Sequence, residues 1–244
     1  MSELYHLSYE RRYKAVYEAG ADYWGHTPDD EELTQVLTEW VNEHGLQGKR
    51  VIEFFCGEGA AGVILSGLGC VYHGVDVSPS ALQTAADSLR DYPDASVAEV
   101  NVVSGVICGE FDAALDVMGF HMLVTDPDRA AYLRNAFSCL RSGAPMLFFR
   151  QMSSENADDS FVGSYDEWLR VSKSDYITPR EMNFKRDGKE IIIQIPYVPG
   201  RSKTIAGYVR ELTEAGFAVD SDAIITMPPS RKCGECAVIR VRKP

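Results

Sequence analysis

One twelve-residue stretch constrains this chain more than any other: Val51-Ile52-Glu53-Phe54-Phe55-Cys56-Gly57-Glu58-Gly59-Ala60-Ala61-Gly62. It reads as an apolar strand ending in an acid, then a glycine turn, then the small-residue start of a helix. Gly57 and Gly59 permit a tight turn and let a ligand approach the backbone. The helix that follows presents N–H groups without intrahelical partners. In open α/β sheets ligands bind at the carboxyl ends of the strands, and this unit places an acid and a backbone cradle there.

The flanking sequence repeats the strand–helix alternation. Strands are predicted over 50–55, 70–75, 96–100, 111–117 and 145–149, with helices over 57–68, 78–89 and 126–140. Such alternation implies right-handed crossovers and a parallel sheet covered on both faces. Ahead of it, Ser8 to Ala19 reads as a helix with Ser8 as its cap and Gly20 as its stop. A second helix opens at Pro28-Asp29-Asp30-Glu31-Glu32, its acids on the positive end of the helix dipole. Residues 153–160 read as a mobile loop. Asp187-Gly188 between 183–186 and 189–196 is a hairpin signal. A helix over 203–215, stopped by Gly216, and strands over 217–225 and 237–242 complete the chain.

Composition narrows the function classes. The 244 residues are 45% apolar and 25% charged, an ordinary globular balance for one domain. The N-terminus lacks the basic, then apolar, pattern of a secretory signal, and no apolar run is long enough to span a bilayer. Six cysteines without such a signal read as reduced thiols in a cytoplasmic protein. The net charge of −12 disfavours nucleic acid and anionic membranes as partners and favours a small-molecule substrate. Basic residues gather near the end, at Arg231, Lys232, Arg240, Arg242 and Lys243, and read as a solvated edge strand. Cys233-Gly234-Glu235-Cys236 supplies only two of the four ligands a structural zinc needs, so no metal is expected. Oligomeric state is not legible.

Gly57-x-Gly59-x-x-Gly62 also fits the dinucleotide fingerprint of an NAD(P)-dependent oxidoreductase. Against that, Glu53 and Glu58 put negative charge where a pyrophosphate would lie, whereas a ligand carrying ammonium and sulfonium groups tolerates acids. The fingerprint strand also follows about fifty residues of helical sequence, whereas dinucleotide domains often open with it.

Glu53-x-x-Cys56-Gly57-x-Gly59 resembles motif I of the class I S-adenosylmethionine-dependent methyltransferases. Val75-Asp76 resembles the acid that binds both ribose hydroxyls, Phe111–Asp116 the fourth strand, and Leu140-Arg141-Ser142-Gly143-Ala144-Pro145 the turn into the fifth. The resemblance covers residues 49–150. It departs at Phe55, where many members have glycine, and at Ala144, the second glycine of a Gly-Gly turn. It implies a seven-stranded, mostly parallel sheet of order 3-2-1-4-5-7-6 with helices on both faces and the last strand antiparallel. It further implies one domain over 1–244, with N-terminal helices to about residue 47 and a hairpin or cap inserted at about 151–200. The implied activity is methyl transfer from S-adenosylmethionine to an unidentified acceptor, with a non-catalytic cofactor-binding protein as the remaining alternative.

The residues expected to hold the cofactor are Glu53, Cys56, Gly57, Glu58's neighbour Gly59, Asp76, Val77, Asn101, Val102 and Asp116. Val77 would pack on adenine and Asn101 would accept from its amino group. His121, just past the fourth strand, is the expected base if the acceptor must lose a proton. Tyr13, Trp24, Arg150, Tyr197 and Arg201 are the expected acceptor-pocket residues, and Arg12 either pairs with the cofactor carboxylate or faces solvent.

Overall fold

The structure is a computed structural model and describes residues 5–107, 109–227 and 234–244. A 3₁₀ turn, Tyr5–Leu7, runs directly into α1 (Ser8–Glu18), and α2 (Glu31–His44) follows. Because helix precedes Ser8, it is no cap, and its hydroxyl has no partner among the described residues. Asp30 caps α2 by accepting from the Leu33 N–H at 3.1 Å.

The sheet is built from β1 (Arg50–Phe54), β2 (Val71–Asp76), β3 (Ser96–Glu99), β4 (Ala113–Val117), β5 (Pro145–Met152), β8 (Ala218–Thr226) and β9 (Glu235–Arg242). Its order is β3-β2-β1-β4-β5-β9-β8. The first five strands are parallel, and β9 runs antiparallel to both neighbours. The expected order and direction are those observed. One detail differs: β9, which carries Arg240 and Arg242, lies inside the sheet, and β8 forms the edge.

Helices α3 (Ala60–Gly67), α4 (Pro79–Leu89), α5 (Asp126–Cys139) and α7 (Ile205–Glu214) complete the layers. The two-residue period of the strands explains why both faces are dry. Ile52, Phe54, Ala114, Met146 and Phe148 pack with Tyr132, Leu133 and Leu212 of α5 and α7. Val51, Ala113, Leu115, Leu147 and Phe149 pack with Leu37, Trp40, Ile64 and Leu82 of α2, α3 and α4. Gly62 permits α3 to lie against β2, since a Cβ there would sit 2.6 Å from the Tyr72 ring.

Between β5 and α7 the chain forms α6 (Tyr165–Ser172), which the sequence reading missed, and the hairpin β6 (Pro179–Arg186) and β7 (Lys189–Pro196). The hairpin is a separate two-stranded sheet in full register across Asp187-Gly188. It packs on α1 and the following turn: Val16 and Ala21 bury against Ile193 and Ile195, and the Asp22 N–H donates to the Lys185 carbonyl at 2.8 Å. The stretch expected to be mobile is tied down at Asp159, whose carboxylate accepts from the Thr204 N–H and hydroxyl at the start of α7.

Candidate functional site

The carboxyl ends of β1, β2 and β4 face a cavity of about 890 Å³. α1, the turn after it and the β6–β7 hairpin form its roof, since Tyr9, Tyr13, Trp24, Met182 and Phe184 line it from above.

Two buried carboxylates occupy its floor. Glu53 shares the Val51 face of β1; its Oε2 accepts from the Tyr72 hydroxyl at 2.5 Å. Burial pushes its carboxyl up to about 8; the Tyr72 bond opposes this, and the charges of Asp116 and Asp76 add to it. Asp76 ends β2. Its Oδ2 accepts from the Gly57 N–H at 2.9 Å and its Oδ1 from the Ser78 N–H at 2.9 Å. Burial raises this carboxyl too, against those backbone bonds. Each oxygen keeps a lone pair. Gly57 needs its φ of +50°, and a Cβ there would sit 2.6 Å from the Tyr13 hydroxyl.

Three neighbouring strands carry left-handed non-glycine residues near their carboxyl ends: Phe55 (φ 55°) after β1, Met118 (φ 60°) after β4 and Arg150 (φ 57°) in the bulge of β5. Such residues cost about 1–3 kcal/mol each and gather where function over-determines the backbone. Phe55, which replaces the family's usual glycine, has its ring edge-on to Tyr132 at 5.0 Å, and that packing offsets the strain.

Glu58 fastens the roof. Its carboxylate accepts from the Tyr17 hydroxyl at 2.7 Å, the Trp24 N–H at 2.9 Å and the Gly25 N–H at 2.8 Å. A second fastening is Glu10 of α1, which takes bonds from Ser78 and Ser80 at the start of α4. Glu58→Gln leaves one acceptor oxygen and turns an amide toward an N–H. We expect about 2 kcal/mol less stability by urea unfolding and faster protease cleavage within residues 20–26. Unchanged cleavage there would show that Glu58 does not hold the roof.

Residues 52–146 match the family model described as a methyltransferase domain. Over those residues the chain carries a methyltransferase domain, and its fold is that of solved S-adenosylmethionine-dependent methyltransferases. Among curated relatives, a ubiquinone biosynthesis O-methyltransferase from Aromatoleum aromaticum is 30% identical over 48% of this chain and 50% of its own length. A ribosomal protein L11 methyltransferase from Salmonella arizonae is 32% identical over 31% of each chain. The chain thus spans between about a third and a half of the curated relatives it matches. Among solved structures, the [4+2]-cyclase SpnF superposes with a TM-score of 0.69 at 14% identity, over 98% of this chain and 97% of that one. The N-methyltransferase NodS from Bradyrhizobium japonicum, solved with S-adenosylhomocysteine, does so with 0.63 at 15% identity, over 99% and 100%.

Within this fold, the sequence-derived site residues divide into two groups. Glu53, Cys56, Gly57, Asp76, Val77, Asn101, Val102, Tyr13 and Trp24 all line the cavity. The Cys56 thiol is buried and raised by that burial, so it is inert there. Asn101 is already engaged: its Oδ1 accepts from the Val103 N–H at 3.0 Å and the Ser104 N–H at 3.4 Å, and its amide reaches His6.

The others do not line it. Gly59 faces α4, where a Cβ would lie 3.0 Å from that of Ala85. Asp116 lies on the α5 face, bonded by the Tyr132 hydroxyl, the Gly119 and Phe120 N–H groups and the Gln151 amide, and burial lifts it to about 6. His121 turns under bulged β5, with Nδ1 3.2 Å from Gln151 Oε1; burial pulls it down to about 4, so the ring is neutral and sealed off. Arg150 is buried against Asp30 and Glu32. Arg201 is buried against Asp126 and the carbonyls of Val124 and Ser160. Tyr197 is half-exposed on the outer hairpin, with the Arg180 guanidinium 4.9 Å from its ring centre. Arg12 does neither thing expected of it: it is buried between Trp24 and Phe184 and donates to the Pro196 carbonyl. Cys233, Arg231 and Lys232 lie outside the described residues, and Cys236 is buried in β9 opposite Met152. Among the described residues no His, Cys, Asp or Glu cluster fits a metal, and no helix is long and apolar enough to cross a membrane.

The sequence reading missed Tyr9, His26, Met118, Met182 and Phe184, all on the cavity wall. For His26 a signal existed, an acid four residues on, at Asp30.

Proposed function

We propose that this chain binds S-adenosylmethionine in the cavity and transfers its methyl group to a small-molecule acceptor, as one domain in which the N-terminal helices and the 151–200 segment roof the sheet. The observation that carries this reading is the pair of buried carboxylates, Glu53 and Asp76, facing one cavity across the Gly57 turn. Buried acids of this kind are unsuited to a pyrophosphate and suited to an ammonium group and a ribose diol.

The cofactor would supply an electrophilic methyl on a sulfonium leaving group. The rest falls to the chain. Glu53, once ionised, answers a positive charge, and Asp76 accepts from the diol. Val77 and the backbone of residues 100–102 flank the base, because the Asn101 amide oxygen is committed to its own turn. The aromatic and methionine roof excludes water and holds the acceptor in line. At about 890 Å³ the cavity is near the upper end of ordinary ligand pockets, with room for a nucleoside and a second small molecule. Such a volume beneath a roof built from the chain itself favours a small acceptor over a protein side chain, although one matched relative is named for a ribosomal protein.

The test is calorimetric titration of the full chain with S-adenosylhomocysteine and, separately, NADH. Micromolar binding of the first with no heat from the second is expected; tight NADH binding, or silence from both, overturns the reading. Labelled methyl appearing on a member of a phenol and amine panel then establishes transfer. Cofactor binding with no label on any acceptor would instead favour a protein that holds the nucleoside for another purpose.

A further inference from the structure

The roof brings three side chains to one part of the cavity wall: Trp24 from the turn after α1, and Met182 and Phe184 from β6. Met182 and Phe184 are two apart in β6 and so share a face of the hairpin. One buried guanidinium reaches all three. Arg12 of α1 lies 5.3 Å from the Trp24 ring centre and 5.9 Å from that of Phe184, and its Nη2 lies 2.8 Å from the Met182 sulfur. Arg12 does not itself line the cavity. Its Nη1 donates to the Pro196 carbonyl, its Nε has no partner among the described residues, and no carboxylate among them pairs with it. A buried cation without a counter-charge is costly. What this one does is fix two rings and a thioether in a single arrangement. Trp24 is fixed from the other side as well, by its N–H to Glu58 and by the edge-on Tyr13 ring at 4.6 Å.

The charge around the cavity is one-sided. Among the described lining residues the carboxylates are Glu53, Glu58, Asp76 and Glu190. The one ammonium, Lys185, stands opposite Glu190 in the hairpin register, so that pair adds no net charge. His26, also on the wall, sits with Arg150 among two acids, Asp30 and Glu32. That cluster offers an anion no net positive charge whichever form the ring takes. Even with Arg12 counted, acids outnumber cations.

We propose that Trp24, Met182 and Phe184 seat the acceptor, that the acceptor is an aromatic molecule bearing no carboxylate or phosphate, and that Arg12 is the positioning residue of this seat. This deepens the methyl-transfer reading and rests on it. Ring walls favour another ring through offset or edge contacts, and a thioether beside them adds sulfur–aromatic contact. An anionic group would meet the surrounding acids and leave its own charge unanswered.

The test loads the full chain with S-adenosylhomocysteine and titrates 2-naphthol and 2-naphthyl phosphate as probes near neutral pH. Binding is read by calorimetry and by the ¹³C-methyl signals of the methionines, with Met182 assigned through Met182→Leu. 2-Naphthol should bind, move the Met182 signal and exceed the phosphate ester in affinity by about 100-fold, the scale of placing an unanswered charge in a partly buried site. No binding of 2-naphthol, an unmoved Met182 signal, or equal binding of the phosphate ester overturns the proposal, and none of these needs a variant to fold. Phe184→Ala should weaken 2-naphthol about tenfold, the worth of one aromatic contact. Arg12→Met, which removes the charge and keeps an unbranched stem, should weaken it about fivefold as the rings loosen. Both variants should hold S-adenosylhomocysteine within about twofold of wild type, since neither side chain belongs to that part of the cavity. Wild-type affinity for 2-naphthol in Phe184→Ala overturns the seat, and in Arg12→Met it overturns the positioning role. If S-adenosylhomocysteine itself fails to bind, the methyl-transfer reading falls; if it binds and the naphthol arms fail, this proposal alone does.

Discussion

Glu53→Gln is expected to stabilise the ligand-free protein near pH 8 and to weaken S-adenosylhomocysteine binding by about 100-fold, the loss of one charge-assisted contact of about 2.7 kcal/mol. Both effects come from burial. In the folded protein Glu53 holds its proton up to about 8, while in the unfolded chain it releases it near its ordinary value of 4.5. Between those values the native state binds more protons than the unfolded state. Stability therefore declines as pH rises across that window, by up to about 1.4 kcal/mol per unit. Glutamine still accepts from Tyr72 and carries no such slope. A ligand ammonium reverses the preference and draws the carboxylate into its charged form. Binding near pH 7 should then release close to one proton, visible as a binding enthalpy that differs between phosphate and Tris buffers. Wild-type affinity in the variant, or an enthalpy independent of buffer, would remove Glu53 from the cofactor site.

Arg150→Met is expected to cost about 3–5 kcal/mol, the range found when one partner of a buried ion pair is deleted. Both side chains are nearly inaccessible, Arg150 at 3% and Asp30 at 7%. The Arg150 guanidinium also lies 4.8 Å from the Phe149 ring centre, so packing is lost with charge. In the native protein burial opposes ionisation of Asp30, but bonds from His26, Arg150 and the Leu33 N–H outweigh it and hold the carboxyl far below its ordinary range. A depressed acid adds stability above its unfolded pKa, near 3.8, and loses it as pH falls below that value. The variant should therefore melt roughly 10 °C lower at pH 7 and lose most of the acid-side slope of the wild type. Asp30→Leu introduced alongside should recover part of the loss, because the orphaned charge goes with it. A melting temperature within two degrees of wild type would show the cluster to be solvated.

The sheet was readable because its information is local. β1, β2, β4 and β5 are short apolar runs, α4 and α5 open on the side-chain caps Ser78 and Thr125, and the acids at 53 and 76 follow directly from where those runs stop. What failed was anything set by parity or distance. Asp116 ends a strand as Glu53 does, but it points to the other face, where Tyr132 waits on α5. His121 follows that strand into a 3₁₀ turn whose direction depends on the bulge in β5. Arg150 looked like a pocket residue because β5 was expected to end at 149, whereas it continues to Met152. The surroundings of the cavity are held together by pairs 100 or more residues apart, such as Tyr9 with Pro199 and Arg150 with Asp30, and no window of sequence displays such a pairing.

Those long separations set a timetable for synthesis. The carbonyls that Tyr9 and Arg12 bond, at Pro199 and Pro196, leave the ribosome some 180 to 190 residues after them. Until then α1 can dock through Glu10 on Ser78 and Ser80 and Tyr17 on Glu58, while Tyr9 and Arg12 still lack these later partners. Contacts closing so long a loop form late. In the finished molecule they are also the ones whose opening leaves the sheet intact, which gives a nucleoside a way in and out at a small fraction of the cost of unfolding.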